Sequence, residues 1–260
     1  MSMLYRPDAL DRRDPELIRR LLPLGEWLAE HYFHVRHEVE GELPARPSLF
    51  VANHNGGIMG PDLFCTLPLL WRLLGPQRPL YALAHDFAMR QFKPLGWLLQ
   101  KIGAVSACRE NAARVLASGG DVLVYPGGDL DAYRAFRRRD EVVILPRTGF
   151  VRVAQALRAP IVPIVAYGAH RSAVIVSEGK WLARRLGMQR WARLQRFPVA
   201  LALPYGLALG PWLPYLPLPF PIRLRLLAPV HVAADEPPME AATRIQRSMQ
   251  ESLEEMRHAA

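Results

Sequence analysis

Four stretches of this chain are short, continuously apolar, and run without transition into turn residues. They are Leu49-Phe50-Val51-Ala52 before Asn53-His54-Asn55-Gly56-Gly57, "PLYALAH", "DVLVYPGG" and "PIVPIVAYG". A strand with one wet face alternates apolar and polar residues; these do not alternate, so both of their faces are buried. Segments with helical spacing lie between them. Covered strands alternating with helices predict an α/β fold with a mixed, largely parallel central sheet covered by helices. The 260 residues show no linker and no internal repeat, which predicts a single domain over 1–260.

Leu17, Leu21, Leu24 and Leu28 recur at helical spacing behind Asp14-Pro15, giving an amphipathic N-terminal helix over about 14–31. Pro61 and Asp62 open a helix that Leu74-Gly75 closes. Residues 87–101, 109–118 and "RTGFVRVAQALRA" read as helices, and "HVRHEVEG", "GAVSA" and "RLRLLAPV" as strands. Residues 238–257 form a closing amphipathic helix.

The net charge is +9, with 30 Arg against three Lys, which favours an anionic partner. No nucleic-acid-binding module accompanies that charge. Cys65 and Cys108 sit inside apolar or helical patterns, so a reducing, cytoplasmic setting is expected, without disulfide or cysteine metal site. The first residues have no apolar core of a secretory signal, and no breaker-free apolar run has spanning length.

Residues 180–197 interleave Arg184, Arg185, Arg190, Arg193, Arg196 and Lys180 with Trp181, Trp191 and leucines. Residues 198–222 then carry no charge and many prolines. One reading is an interfacial helix plus apolar loop on the anionic inner face of a membrane, with Trp181, Arg184, Arg185, Trp191 and Arg193 in contact. The other is a surface helix followed by a Pro-rich crossover against the core.

Two places are suited to chemistry. His54 follows a buried strand, in a loop whose Gly56, Gly57 and Gly60 allow positive φ or close approach. Folding back of that loop would bring Asp62 to His54 Nδ1, and such a pair supports a general base. Equally, His54 can be a solvent-facing residue and Asp62 a helix-dipole partner. Second, Tyr125-Pro126-Gly127-Gly128-Asp129 ends a buried strand where α/β sheets bind ligands, or forms only a tight turn. His85 and His170 end strands too, and read more simply as loop residues. His31, His34 and His37 would alternate faces on a strand, which argues against a metal site. No G-x-S-x-G elbow, P-loop or dinucleotide fingerprint is present.

The blocks "VANHNGGIMGPD", "GAVSACRENAARVLASGGDVLVYPGGD" and "RTGFVRVAQALRAPIVPIVAYGAH" fall in an order that resembles the glycerolipid acyltransferase superfamily over about residues 30–230. The resemblance implies a membrane-associated O-acyltransferase with no cofactor. Its donor would be acyl-CoA or acyl carrier protein, and its acceptor a glycerolipid hydroxyl. It implies that His54 is the base, Asp62 its orienting partner, and that no acyl-enzyme forms. The family spaces His and Asp by four residues; here seven intervene, with Asn55 in the longer loop, and Met59 holds the usual Asp place. Arg109 matches an arginine that contacts the acceptor head in phosphate-using members. The third block is usually Phe-Pro-Glu-Gly-Thr-Arg, so Gly127 replaces its glutamate. That resembles the diacylglycerol and phytyl-ester synthase branch and makes a neutral hydroxyl an alternative to a lysophosphatidate. Pro163 matches a fourth block that lines the acyl or acceptor site. The altered blocks also leave room for a catalytically silent peripheral lipid-binding protein of the same fold.

Overall fold

The covered strands do assemble into one sheet. The computed structural model describes residues 6–90, 93–211 and 215–259. In chain order the elements are α1 (Pro15–Trp27), β1 (Arg36–Val39), β2 (Leu49–Ala52), α2 (Pro61–Leu74), β3 (Leu80–Ala84), α3 (Asp86–Arg90), α4 (Lys93–Lys101), β4 (Ala104–Ser106), α5 (Arg109–Ala117), β5 (Asp121–Val124), α6 (Asp129–Ala132), α7 (Gly149–Leu157), β6 (Ile161–Tyr167), β7 (Val174–Ser177), α8 (Lys180–Arg185), α9 (Met188–Trp191), β8 (Val199–Ala202), β9 (Gly206–Leu209), β10 (Arg223–Leu226) and α10 (Pro238–His258). Seven strands form the main sheet in the order β1-β10-β6-β2-β5-β3-β4. The run β6-β2-β5-β3-β4 is parallel throughout; β10 joins β6 antiparallel and carries β1 parallel to itself.

Period-two geometry splits β2 between two cores. Leu49 and Val51 pack with Val122, Ile161 and the buried faces of α5, α7 and α10. Phe50 and Ala52 pack with Leu123, Val162, Ile164, Ile18 of α1 and Cys65, Leu69 and Leu70 of α2. Burying each such large side chain contributes roughly 1.5–3 kcal/mol. Gly25 lets α1 lie close on α2, because a Cβ there would stand 2.6 Å from Pro68 Cγ. At the opening edge of the sheet, Asp121 Oδ1 accepts from Ser48 N at 2.9 Å and its Oδ2 pairs with Arg78 Nε at 2.6 Å, tying β2 to β5.

β2 lies where the connections change direction: β3 and β4 are laid down to one side through β5, and β6 follows on the other. The ends of β2, β5 and β6 therefore stand side by side, the place where open α/β sheets bind ligands.

Two expectations are corrected. Residues 180–197 are not one interfacial helix: α8 and α9 are short and break at Gly187, which has φ 61°. Residues 198–222 are not simply an apolar loop, because β8 and β9 form a hairpin that β7 extends to a three-stranded antiparallel sheet. Of the three spaced histidines only His37 lies on a strand, since His31 sits in a π-turn over Leu28–Tyr32 and His34 has φ 45°.

Candidate active site

Asn53 sets the exit of β2. Its Nδ2 donates to Ala166 O at 3.1 Å and its Oδ1 accepts from Ala166 N at 2.7 Å, a backbone-like clasp onto β6. The chain then turns through Gly56 (φ 74°) and Gly57 (φ 69°), both in the left-handed region that glycine occupies without strain. A 3₁₀ turn over Gly57–Met59 brings the chain back to the start of α2. Asp62 enters in the first turn of that helix, where the helix dipole favours a carboxylate.

The longer loop thereby closes the His–Asp pair. Asp62 Oδ2 lies 3.0 Å from His54 Nδ1 and also accepts from Asn55 N at 3.0 Å. Asp62 is fully buried, while the His54 side chain is 23% exposed. With Nδ1–H held by a carboxylate, the free lone pair lies on Nε2, which has no hydrogen-bond partner among the described residues. The Tyr125 ring packs 4.7 Å from the imidazole. Burial opposes charge on His54, but the Asp62 carboxylate, by charge and by hydrogen bond, outweighs it with help from Asp131 and raises the imidazole above its ordinary value. Gly60 is the point of closest approach: a Cβ there would meet Asp62 Oδ1 at 2.6 Å, Asn55 O at 2.8 Å and His54 Cε1 at 2.8 Å.

Arg134 and Asp131, which the sequence does not single out, and His170, which it offers only as a loop residue, hold this loop. Arg134 is fully buried. Its Nη1 donates to His54 O at 2.7 Å and to Asp131 O and Oδ1 at 2.7 and 2.8 Å. Its Nη2 donates to Asn55 Oδ1 and, at 3.0 Å, to Arg139 O, and its Nε donates to Arg138 O at 3.0 Å. Asp131 Oδ2 accepts from His54 N at 2.5 Å, and burial pushes its carboxyl up to about 6 against the pull of Arg134. His170 Nδ1 accepts from Gly56 N at 3.0 Å, and its Nε2 donates to Arg134 O at 2.9 Å. Burial lowers its pKa well below 6.5, so this histidine is a neutral brace of fixed tautomer. Only its position at the end of β6 was a sequence signal.

The third block supplies the neighbouring wall. Gly127 has no space for a side chain, because a Cβ would run into Val143 O and the Asp131 side chain. Gly128 has φ 50° and lies against Arg147. Pro126 O accepts from Arg147 Nη1 at 3.2 Å. Asp129 Oδ1 pairs with Arg147 Nη2 at 2.7 Å and its Oδ2 accepts from Gln195 N at 2.5 Å, so both oxygens are engaged in bracing the turn. Burial pushes the Tyr125 phenol well above its ordinary range.

Other expected site residues lie away from His54. Pro163 is opposite Val51 inside the sheet, three residues and about 10 Å below the level of His54. Arg109 is exposed at the first position of α5, and its side chain packs against Gly149 at the start of α7, two residues after Arg147. His85, at the end of β3, contacts the backbone of Arg193. Arg193 Nη1 pairs with Asp86 Oδ2 at 2.5 Å. Arg184 and Arg185 line a cleft of about 910 Å³ together with Lys180, Arg190 and Arg196. Trp181 is 65% exposed with Arg185 over its ring; the side chain of Trp191 lies outside the described residues.

Against this geometry stand the likenesses to known proteins. An uncharacterised protein of Mycobacterium tuberculosis is 27% identical over 239 residues, covering 89% of this chain and 64% of the relative. One of Mycobacterium leprae is 28% identical over 252 residues, covering 92% and 65%. The chain therefore spans less than two thirds of the length of these mycobacterial relatives. Diacylglycerol O-acyltransferase 2B of Umbelopsis ramanniana is 26% identical over 156 residues, 57% of this chain and 44% of that protein. The crystal structure of the 1-acyl-sn-glycerophosphate acyltransferase PlsC from Thermotoga maritima shares the fold, with TM-score 0.56 at 15% identity over 92% of this chain and 79% of that one. The family described as diacylglycerol acyltransferase matches residues 7–258, nearly the whole sequence, and the chain belongs to that family of glycerolipid acyltransferase relatives.

Proposed function

We propose that the protein transfers a fatty acyl group from an acyl thioester, acyl-CoA or acyl carrier protein, to the hydroxyl of a neutral glycerolipid at a membrane surface. The observation that carries this is the buried Asp62 carboxylate 3.0 Å from His54 Nδ1, with Nε2 left free at the meeting of three strand ends.

His54 Nε2 takes the acceptor hydroxyl proton as the alcohol oxygen attacks the thioester carbonyl. Asp62 holds the tautomer and stabilises the imidazolium that forms. Collapse of the tetrahedral intermediate breaks the C–S bond, and the leaving thiolate recovers the proton from His54. The products are the ester and the free thiol, and no protein nucleophile is acylated.

A neutral acceptor is favoured because the two arginines bonded to the His54 loop and the third-block turn are engaged. Arg134 donates only to protein oxygens, and Arg147 is bonded to Asp129 and Pro126 O. The direct test incubates one acyl-CoA and, in parallel, the same acyl group on acyl carrier protein with a mixed pool of mono- and diacylglycerols, lysophosphatidate and long-chain alcohols, and identifies the products by lipid mass spectrometry. Acylated neutral lipid supports the proposal. Acylated lysophosphatidate alone refutes the neutral acceptor. No new ester with either donor refutes the activity and leaves the lipid-binding alternative.

A further inference from the structure

The sheet formed by β7, β8 and β9 reverses the usual disposition of residues. On its inner face Ile175, Ala200 and Ala208 stand in one cross-strand row and are buried, Ile175 and Ala200 in a small core with Tyr133, Ala183, Met188, Ala192 and Leu194. Two of the three inner positions are alanines. The leucines face out: Leu201 opposite Leu207, with Leu209 and Val176 beside them, each between 48% and 58% exposed. Leu203, Tyr205 and Leu216 extend this apolar surface around the turn. A half-covered sheet in water places its large apolar side chains inward. Contiguous outward leucines mark a surface that another apolar phase covers.

Charge selects the occupant. From Gly179 to Ala234 there is no acidic residue, and Lys180, Arg184, Arg185, Arg190, Arg193 and Arg196 all lie in the connection between β7 and β8. The register puts that connection at the Ser177–Val199–Leu209 end of the sheet, opposite the Tyr205 turn. Glu178 pairs with Lys180 and Arg196, whereas no acidic partner is found among the described residues for Arg184, Arg185 or Arg190. A second copy packed on this face would bring its own cations against the first set. An anionic bilayer offers phosphates at the level of the basic collar and hydrocarbon beneath it. From the collar to the turn the hairpin extends about 15 Å, enough to pass the headgroups.

We infer that the β8–β9 hairpin inserts into an anionic lipid bilayer while the β7–β8 connection holds the phosphates, an inference that rests on the proposed membrane-lipid acceptor. The placement serves that chemistry. Leu216 N donates to Leu203 O beside the hairpin turn, and Tyr215, its neighbour, donates its hydroxyl to Gly56 O in the His54 loop. The inserted end is thus joined to the loop that carries the base.

The test is flotation of the purified protein with phosphatidylcholine vesicles, with and without phosphatidylglycerol. The expected result is strong flotation only with phosphatidylglycerol present. Leu201→Asp/Leu207→Asp should weaken vesicle affinity at least about tenfold per leucine, and Arg184→Glu/Arg185→Glu should remove the preference for anionic lipid. Leu157→Asp, an exposed leucine on α7, should float as wild type. Circular dichroism confirms that each variant is folded. Equal flotation by the hairpin variant and wild type, or no flotation by wild type, overturns the inference. So does a hairpin variant that loses self-association in sedimentation instead of lipid binding. His54→Ala should float unchanged, so flotation without thioester consumption by wild type refutes the proposed activity and leaves the docking surface standing.

Discussion

Gly60→Ala tests whether the longer loop, and not the mere presence of His54 and Asp62, builds the reactive pair. Gly60 has φ −47° and ψ 104°, a negative φ at the margin of the extended region, so the change forces no left-handed backbone on alanine. The added methyl would stand 2.6 Å from Asp62 Oδ1 and 2.8 Å from both Asn55 O and His54 Cε1. Relief to ordinary contact requires roughly 0.6–0.8 Å of movement by groups that are themselves the pair. That displacement carries the 3.0 Å Nδ1···Oδ2 contact past hydrogen-bond length. Misplacement on this scale costs about 10²-fold in rate. The assay is thiol release from acyl-CoA with a neutral acceptor, read as kcat/KM. Gly75→Ala is the counterpart, since Gly75 has φ 83° but nothing within 4 Å of an added Cβ. It should lower the thermal midpoint while leaving kcat/KM unchanged. Wild-type kcat/KM in Gly60→Ala would mean that the pair tolerates separation and that the loop does not build it.

Other expectations follow from the same contacts. The raised His54 pKa means the neutral base appears only as pH rises through a value above 6.5, so kcat/KM should climb there; Asp62→Asn should move that limb to lower pH and drop the plateau about 10²–10⁴-fold, as a pH–rate profile reads. Arg134→Met leaves Asp131 buried without its partner, and denaturant melts should show a loss of about 3–5 kcal/mol. Intact-protein mass spectrometry after incubation with donor alone should show no acyl adduct, and a stoichiometric adduct would require a covalent route.

What was legible followed from local physics. Leu49–Ala52 and Ile161–Tyr167 read as covered strands because parallel strands buried on both faces are continuously apolar, and Pro61 and Gly75 bracket α2. The β8–β9 hairpin was not legible, because its leucines face outward over inward alanines and prolines flank it. In the site, strand-end position and glycine count drew attention to His54 and Asp62 but left a solvent-facing histidine open, and their roles came from the order of blocks that resembles the acyltransferases. Arg134 and His170 were not, since Arg134 in "DAYRAF" reads as an ordinary surface cation and its partners are mostly carbonyl oxygens. The bond from Gly56 N to His170 Nδ1 joins residues 114 apart, and no local pattern announces it.

Whether His54 Nε2 is the base of a direct acyl transfer is read from thioester consumption by His54→Ala beside wild type, with the acceptor that wild type uses. With the protein folded, kcat should fall about 10²–10⁴-fold. Turnover at the wild-type rate in His54→Ala would mean that the proton leaves the acceptor by another route.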